Sequence, residues 1–209
     1  LMCVGEYSLL IRKNREQLPP LRFPYDKTFL KQLETFIPHL HEASFSGSGE
    51  AFLIALNYEI WEMIIRLNPQ CVITVQTNGT VLTDKVKSIL QRGNFEIGVS
   101  LDSLKKEIYE TIRPNAKLEK VMNNIRWFSE YCRQKDSYFM LALCVMRQNV
   151  HELPAFIGLC NELNAAAVLH KVWSPEEFSL NHLPSAQLQN IYEELESFTY
   201  EPETTLQKQ

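Results

Sequence analysis

Tyr138-Phe139-Met140-Leu141-Ala142-Leu143-Cys144-Val145-Met146 is the longest apolar strand-like run in the chain. A strand with one wet face alternates apolar and polar residues. This one does not, so it reads as a strand covered on both faces, which is the mark of a parallel sheet. The neighbouring segments change period. Lys117 to Arg133 predicts a helix with Val121, Ile125, Phe128 and Cys132 on its inner stripe, and His151 to Leu163 predicts another. Further out the alternation continues. Strands are predicted at Ala43–Ser46, Cys71–Gln76, Phe95–Leu101 and Ala165–Val172. Between and around them come helices. One is capped by Asp26 and carries Phe29, Leu33, Phe36, Ile37 and Leu40; another runs from Ala51 to Leu67 and ends at Asn68-Pro69. A third is capped by Thr83 and closed by Gly93, a fourth spans about Ser103 to Thr111, and a last one is capped by Ser185. Such a ladder predicts an α/β fold with parallel strands and outer helices, and right-handed crossovers place every strand's C-terminal end on one side. A barrel builds its site on that side. A flat doubly wound sheet is the competing architecture, but the glycine fingerprint of its first turn is missing.

The remaining bulk features bound the answer. The chain has 209 residues, is 45% hydrophobic and carries a net charge of −4 with pI near 5.8. This length buries roughly 70% of the unfolded surface without disulfide support. The expectation is one domain over residues 1–200 and a polar tail over 201–209. The acidic balance argues against nucleic acid as a partner. The absence of a long apolar run argues against a membrane span, and the absence of a secretory signal argues for a cytoplasmic protein. Of the five cysteines, Cys71 and Cys144 fall in apolar strands and Cys132 and Cys160 on apolar helix faces, where a small buried hydrophobe is the simpler reading. Cys3 falls in a loop and is a candidate reactive or metal-binding thiol. The first clear element is a helix, whereas a strand–helix repeat begins with a strand. That strand is expected upstream of Leu1, with Cys3 in the loop leaving it.

The strand ends supply the candidate site. Phe45-Ser46-Gly47-Ser48-Gly49-Glu50-Ala51-Phe52 takes a strand through two glycines to a carboxylate and a helix. Bare backbone there admits a ligand, and the free N–H groups of the following helix are expected to point at the same spot. The next ends bring Gln76, Thr77, Asn78 and Gly79; then Ser100, Asp102 and Ser103; then Arg147, Gln148 and Asn149; then His170, Lys171 and Trp173. Such groups suit a polar ligand with an amine, a carboxylate and a ribose. Each also has a simpler reading: a turn at Thr77-Asn78-Gly79, a helix cap at Asp102, a complement to a helix dipole at Glu50.

These segments resemble the radical S-adenosylmethionine (radical SAM) enzymes. Gly47-Ser48-Gly49-Glu50-Ala51 is similar to that family's Gly-Gly-Glu-Pro segment, and Thr77-Asn78-Gly79-Thr80 to its Thr-Asn-Gly strand end. Val99-Ser100-Leu101-Asp102 with Ile112-Arg113, and Val145-Met146-Arg147-Gln148-Asn149, resemble later strand ends. The resemblance runs from Cys3 to about Trp173. It implies a partial, TIM-like (β/α)6 barrel whose first strand is missing from this sequence. It also implies a 4Fe–4S cluster held by a Cys-xxx-Cys-xx-Cys loop, with Cys3 as third ligand. Thiolates suit such iron. The cluster would cleave S-adenosylmethionine to a 5′-deoxyadenosyl radical that takes hydrogen from a peptide or protein, using an electron donor. The cofactor-binding residues so implied are Gly47, Ser48, Gly49, Glu50, Thr77, Asn78, Ser100, Asp102, Arg113 and Asn149. The first two cysteines are absent, Ala51 replaces a proline and Ser48 a glycine, so the chain as given is expected to lack the cluster and activity.

Two other functions compete. A cluster-free barrel that binds a nucleoside-like ligand or a protein partner accounts for the missing cysteines. A hydrolase or aldolase would need a base–nucleophile pair or a metal set, and the five histidines show no such spacing beyond His39 and His41.

Overall fold

The computed structural model describes residues 9–14, 17–19, 25–47 and 49–198. Cys3, Ser48 and the tail 201–209 lie outside them. Five parallel strands form one sheet in chain order: β1 (Glu42–Phe45), β2 (Val72–Thr77), β3 (Phe95–Ser100), β4 (Phe139–Val145) and β5 (Ala166–Lys171). The ladders align Phe45 with Val75 and Cys144 with His170. Helices alternate with the strands: α1 (Leu9–Asn14), α2 (Lys27–Leu33), α3 (Ala55–Leu67), α4 (Asp84–Arg92), α5 (Lys106–Ile112), α6 (Leu118–Lys135), α7 (Leu153–Glu162) and α8 (Ser185–Glu196). This is the α/β architecture expected, with the five strands of the sequence reading within a residue or two of their predicted places. No described helix is long and apolar enough to cross a membrane.

The described residues fall into two compact units, one ending at Ile97 and one beginning at Gly98, so the boundary lies inside β3. In the first unit Trp61 is the core, fully buried on α3. Its indole meets Phe45, Phe52, Tyr58 and Phe95 edge-on, with ring centroids 5.4, 5.8, 4.9 and 5.6 Å away. Each such pair adds about 0.5–1.5 kcal/mol beyond area burial. The same rings hold the end of β1 and the turn after Glu50. In the second unit, the inner stripe Val121, Ile125, Phe128 and Cys132 of α6 is buried as its 3.6-residue period predicts.

Several helix bounds differ from the sequence reading, two of them because a side chain competes for the backbone. The helix expected to begin at Ala51 opens as a 3-10 turn, Ala51–Leu53, and α3 begins only at Ala55. Asn57 Nδ2 donates to the Ala51 carbonyl at 2.9 Å and Tyr58 Oη to that of Phe52 at 3.0 Å. Those carbonyls are thereby paired outside an α-helical pattern. The glycine turn is therefore not followed by an α-helix N-terminus, and the positive helix end expected there is absent. The helix expected from Ser103 begins at Lys106, because Ser103 and Leu104 bond to Glu152 instead. Asp26 does cap α2, accepting from the N–H groups of Thr28 and Phe29 at 2.8 and 3.1 Å, but the helix stops at Leu33 and resumes as a 3-10 turn at Ile37–His39 around Pro38. Pro184, not Ser185, holds the cap position of α8, with no side-chain bond. The short α1 had no periodic signal.

Candidate functional site

In the first unit the predicted residues meet at one carboxylate. After β1 the chain turns through Gly47 and Gly49, with φ of 101° and 77°. Both angles are costly for any residue with a Cβ. The turn delivers Glu50 to the end of β2. There Oε1 accepts from Thr77 Oγ1 at 2.5 Å and Oε2 from the Asn78 N–H at 2.8 Å. Oε1 also takes the Phe52 N–H at 3.4 Å, which caps the 3-10 turn. Thr77 Oγ1 in turn accepts the Gly79 N–H at 3.1 Å. Asn78 locks its own turn, since its Oδ1 accepts from Thr80 N and Oγ1 at 2.9 and 2.6 Å. Oε2 keeps lone-pair capacity for a further donor. A cleft of about 260 Å³ opens at the glycine turn and the end of β1, lined by Ser44, Ser46, Gly47, Gly49, Asn57 and Gln76 among others. A larger hollow, about 540 Å³, lies between Glu34 and Arg66. Those two are paired with each other and sit on helix surfaces away from any strand end, so the smaller cleft is the better site.

In the second unit a different knot forms. Asp102 is fully buried just past β3. Its Oδ2 accepts from Arg113 Nε at 2.6 Å, its Oδ1 from the Cys144 N–H at 3.1 Å, and its carbonyl from Asn149 Nδ2 at 2.6 Å. Burial pulls the Arg113 guanidinium towards deprotonation, but the charge and hydrogen bond of Asp102 outweigh it and raise the group above its ordinary value. The Arg113 side chain keeps 23% exposure, so part of its fork is open to a ligand. Asn149 is different. Besides the Asp102 carbonyl its Nδ2 donates to Cys144 O at 2.9 Å, and its Oδ1 accepts the Met146 N–H at 2.7 Å. Both of its donor protons are used, and it positions Asp102. Ser100 ends β3, half-buried.

Glu152 is the residue the sequence reading missed. It is buried, accepts Ser103 Oγ at 2.8 and 3.0 Å and takes the Leu104 N–H at 2.6 Å. Together Asn149 and Glu152 grip the main chain from Asp102 to Leu104. The signal was an acidic residue just before the helix that follows β4, which by itself reads as helix-dipole complement. Arg147, a predicted strand-end ligand, instead straps down the segment after β5. Its Nε donates to Ser179 O at 2.8 Å and its Nη2 to Glu176 O at 3.1 Å. Tyr109 lies fully buried near Asp102 and Arg113, and its hydroxyl has no hydrogen-bond partner.

Cys71, Cys132 and Cys160 are buried and Cys144 is half-buried, and none of these four forms a disulfide. No set of three or more His, Cys, Asp and Glu side chains among the described residues fits a metal ion. These residues therefore do not supply a site for a 4Fe–4S cluster. The open glycine turn and the spare acceptor on the neighbouring Glu50 do fit an ammonium group.

The sequence of residues 11–160 matches the family described as the Radical SAM superfamily. No curated protein sequence matches. Among solved structures, anSMEcpe with bound AdoMet superposes with a TM-score of 0.57 at 18% identity, over 76% of this chain and 46% of that one. Streptococcus suis SuiB bound to S-adenosylmethionine gives 0.54 at 13% identity, over 74% and 34%. The same protein bound to its precursor peptide SuiA gives 0.53 at 12% identity, over 74% and 34%. At these identities the likeness is one of fold. The chain spans less than half the length of these proteins.

Proposed function

The chain belongs to the radical SAM superfamily, and from that membership we propose that it forms the S-adenosylmethionine-binding barrel of an oxidoreductase acting on a peptide or protein. The observation that carries the proposal is the Glu50 carboxylate, fixed by Thr77 and Asn78 beside an open glycine turn. An ammonium group is a donor that Oε2 can still accept, and Gly47 leaves room for it: a Cβ built there would meet no atom within 4 Å. Gly49, Glu50, Thr77 and Asn78 are assigned to the methionyl amine, and Gly47 and Ser48 to the same cofactor-binding stretch. Arg113 is assigned to the carboxylate and Ser100 to the ribose, with Asp102 and Asn149 holding Arg113 in place. S-adenosylmethionine, when bound, would supply one-electron chemistry that ends in hydrogen abstraction. Cys3 is assigned to iron–sulfur ligation. An electron donor and a peptide substrate are the partners that follow; proteins of similar fold bind AdoMet and a precursor peptide.

Calorimetric titration of S-adenosylmethionine into the chain tests the assignment. Glu50→Gln removes a charged acceptor, worth about 1.5–3 kcal/mol, and is expected to weaken binding by about 10- to 100-fold. Unchanged affinity in the variant, or no binding by the parent, overturns it. The enzymatic part is tested separately by 5′-deoxyadenosine release from full-length protein reconstituted anaerobically with iron, sulfide and dithionite.

A further inference from the structure

Strand β5 is last in the sheet and pairs on one side only, with β4. In a parallel pair alternate residues turn their N–H and C=O groups away from the partner. β5 thus presents a row of main-chain donors and acceptors that no other strand meets among the described residues. Proteins usually blunt such an edge with prolines, charges or a covering segment. Here the first four residues are Ala166, Ala167, Val168 and Leu169, and Leu169 is 48% exposed. A cleft of about 350 Å³ lies against the strand, lined by Val145, Leu169, Val172 and Leu180, with His170 and Lys171 at its charged end. Trp173, just beyond, is 68% exposed, and Lys171 Nζ sits 4.1 Å from the centre of its ring. No carboxylate pairs with Lys171 among the described residues, and none lines this cleft. In a chain of net charge −4, this is a local excess of positive charge beside an apolar cleft and an open strand edge.

We propose that the free edge of β5 docks an extended peptide segment carrying an acidic side chain. Its backbone pairs with β5, its carboxylate meets Lys171, and an apolar side chain enters the cleft between Leu169 and Leu180. Main-chain pairing gives such a site affinity, while the alternate side chains give it selectivity. This takes up the peptide partner of the function proposed above and rests on that part of it alone.

The probe is the peptide acetyl-Val-Asp-Val-Phe-Asp-Val-amide, titrated into the full chain by calorimetry with hydrogen exchange followed at residues 166–171. Binding is expected to slow exchange there, without S-adenosylmethionine. A peptide with lysine in place of both aspartates is expected to bind at least five- to tenfold more weakly, and one N-methylated at the residues that face β5 is expected not to bind. Lys171→Glu, at an exposed position, is expected to fold normally and weaken binding about five- to tenfold, an exposed ion pair lost and a repulsion gained. The proposal is overturned if millimolar peptide leaves exchange unchanged or if the lysine peptide binds equally. It is also overturned if protection appears without peptide and grows with protein concentration, because the edge then pairs with a second copy. A chain that binds this peptide but not S-adenosylmethionine keeps the edge assignment and loses the cofactor reading.

Discussion

Tyr109 carries a buried hydroxyl with nothing to bond. Burial raises its titration from 10.0 to about 12; the charges of Asp102 and Glu110 push the same way and Arg113 opposes them. Between those values the unfolded chain releases the proton while the folded chain keeps it. Stability that is intact below pH 10 is therefore lost as pH rises towards 12. Cys160 contributes a similar loss that begins lower, since burial raises its thiol from 9.0 to about 12. Tyr109→Phe is expected to flatten the decline between pH 10 and 12 and leave the part that starts near pH 9. Urea midpoints of parent and variant across that range would show it; an identical slope would count against a phenol that titrates with folding. The cost at neutral pH is expected to be below about 1 kcal/mol, because the hydroxyl removed has no partner to orphan.

Element starts are where side-chain chemistry overrode periodicity. Glu152 holds Ser103 and Leu104 out of α5, and Glu50 draws Phe52 into a 3-10 turn. Glu152→Gln keeps the shape but sets an amide against the Leu104 N–H or weakens its acceptor. A loss of about 1–3 kcal/mol is expected, read from the denaturant midpoint, with faster exchange of the Leu104 amide as the local signature. A variant as stable as the parent with an equally protected amide would remove Glu152 from this role. The caps at Asp26 and Thr83 were legible in the sequence because an N-cap acts within three residues. The Glu152 and Asn149 contacts were not: they reach back more than forty residues, to Ser103, Leu104 and Asp102, and no local pattern encodes them. Glu50, Thr77 and Asn78 were each legible as strand-end ligand types, whereas their bonding to one another required the β1–β2 pairing.

At the scale of the whole molecule the strand–helix alternation was legible from Asp26 onward, because covered parallel strands write continuous apolar runs into the sequence. The reading of the described cysteines as small core residues follows from the same pattern. Cys71, Cys132 and Cys160 are each 1% exposed. They are expected to resist N-ethylmaleimide until denaturant opens the surrounding core, with labelling mapped by mass spectrometry; modification of all three in native buffer would contradict the packing. Trp61, the hub of the aromatic cluster, is the one indole between Cys3 and Ile97. Its ring is fully buried and its Nε1 has no hydrogen-bond partner. An indole so shielded emits at the short-wavelength limit of its range, and four edge-on rings give it a strong near-ultraviolet dichroic signature. Because Phe45 and Phe52 touch both this ring and the glycine turn's flanks, the first unit contains its own optical reporter, one packing layer behind the cleft.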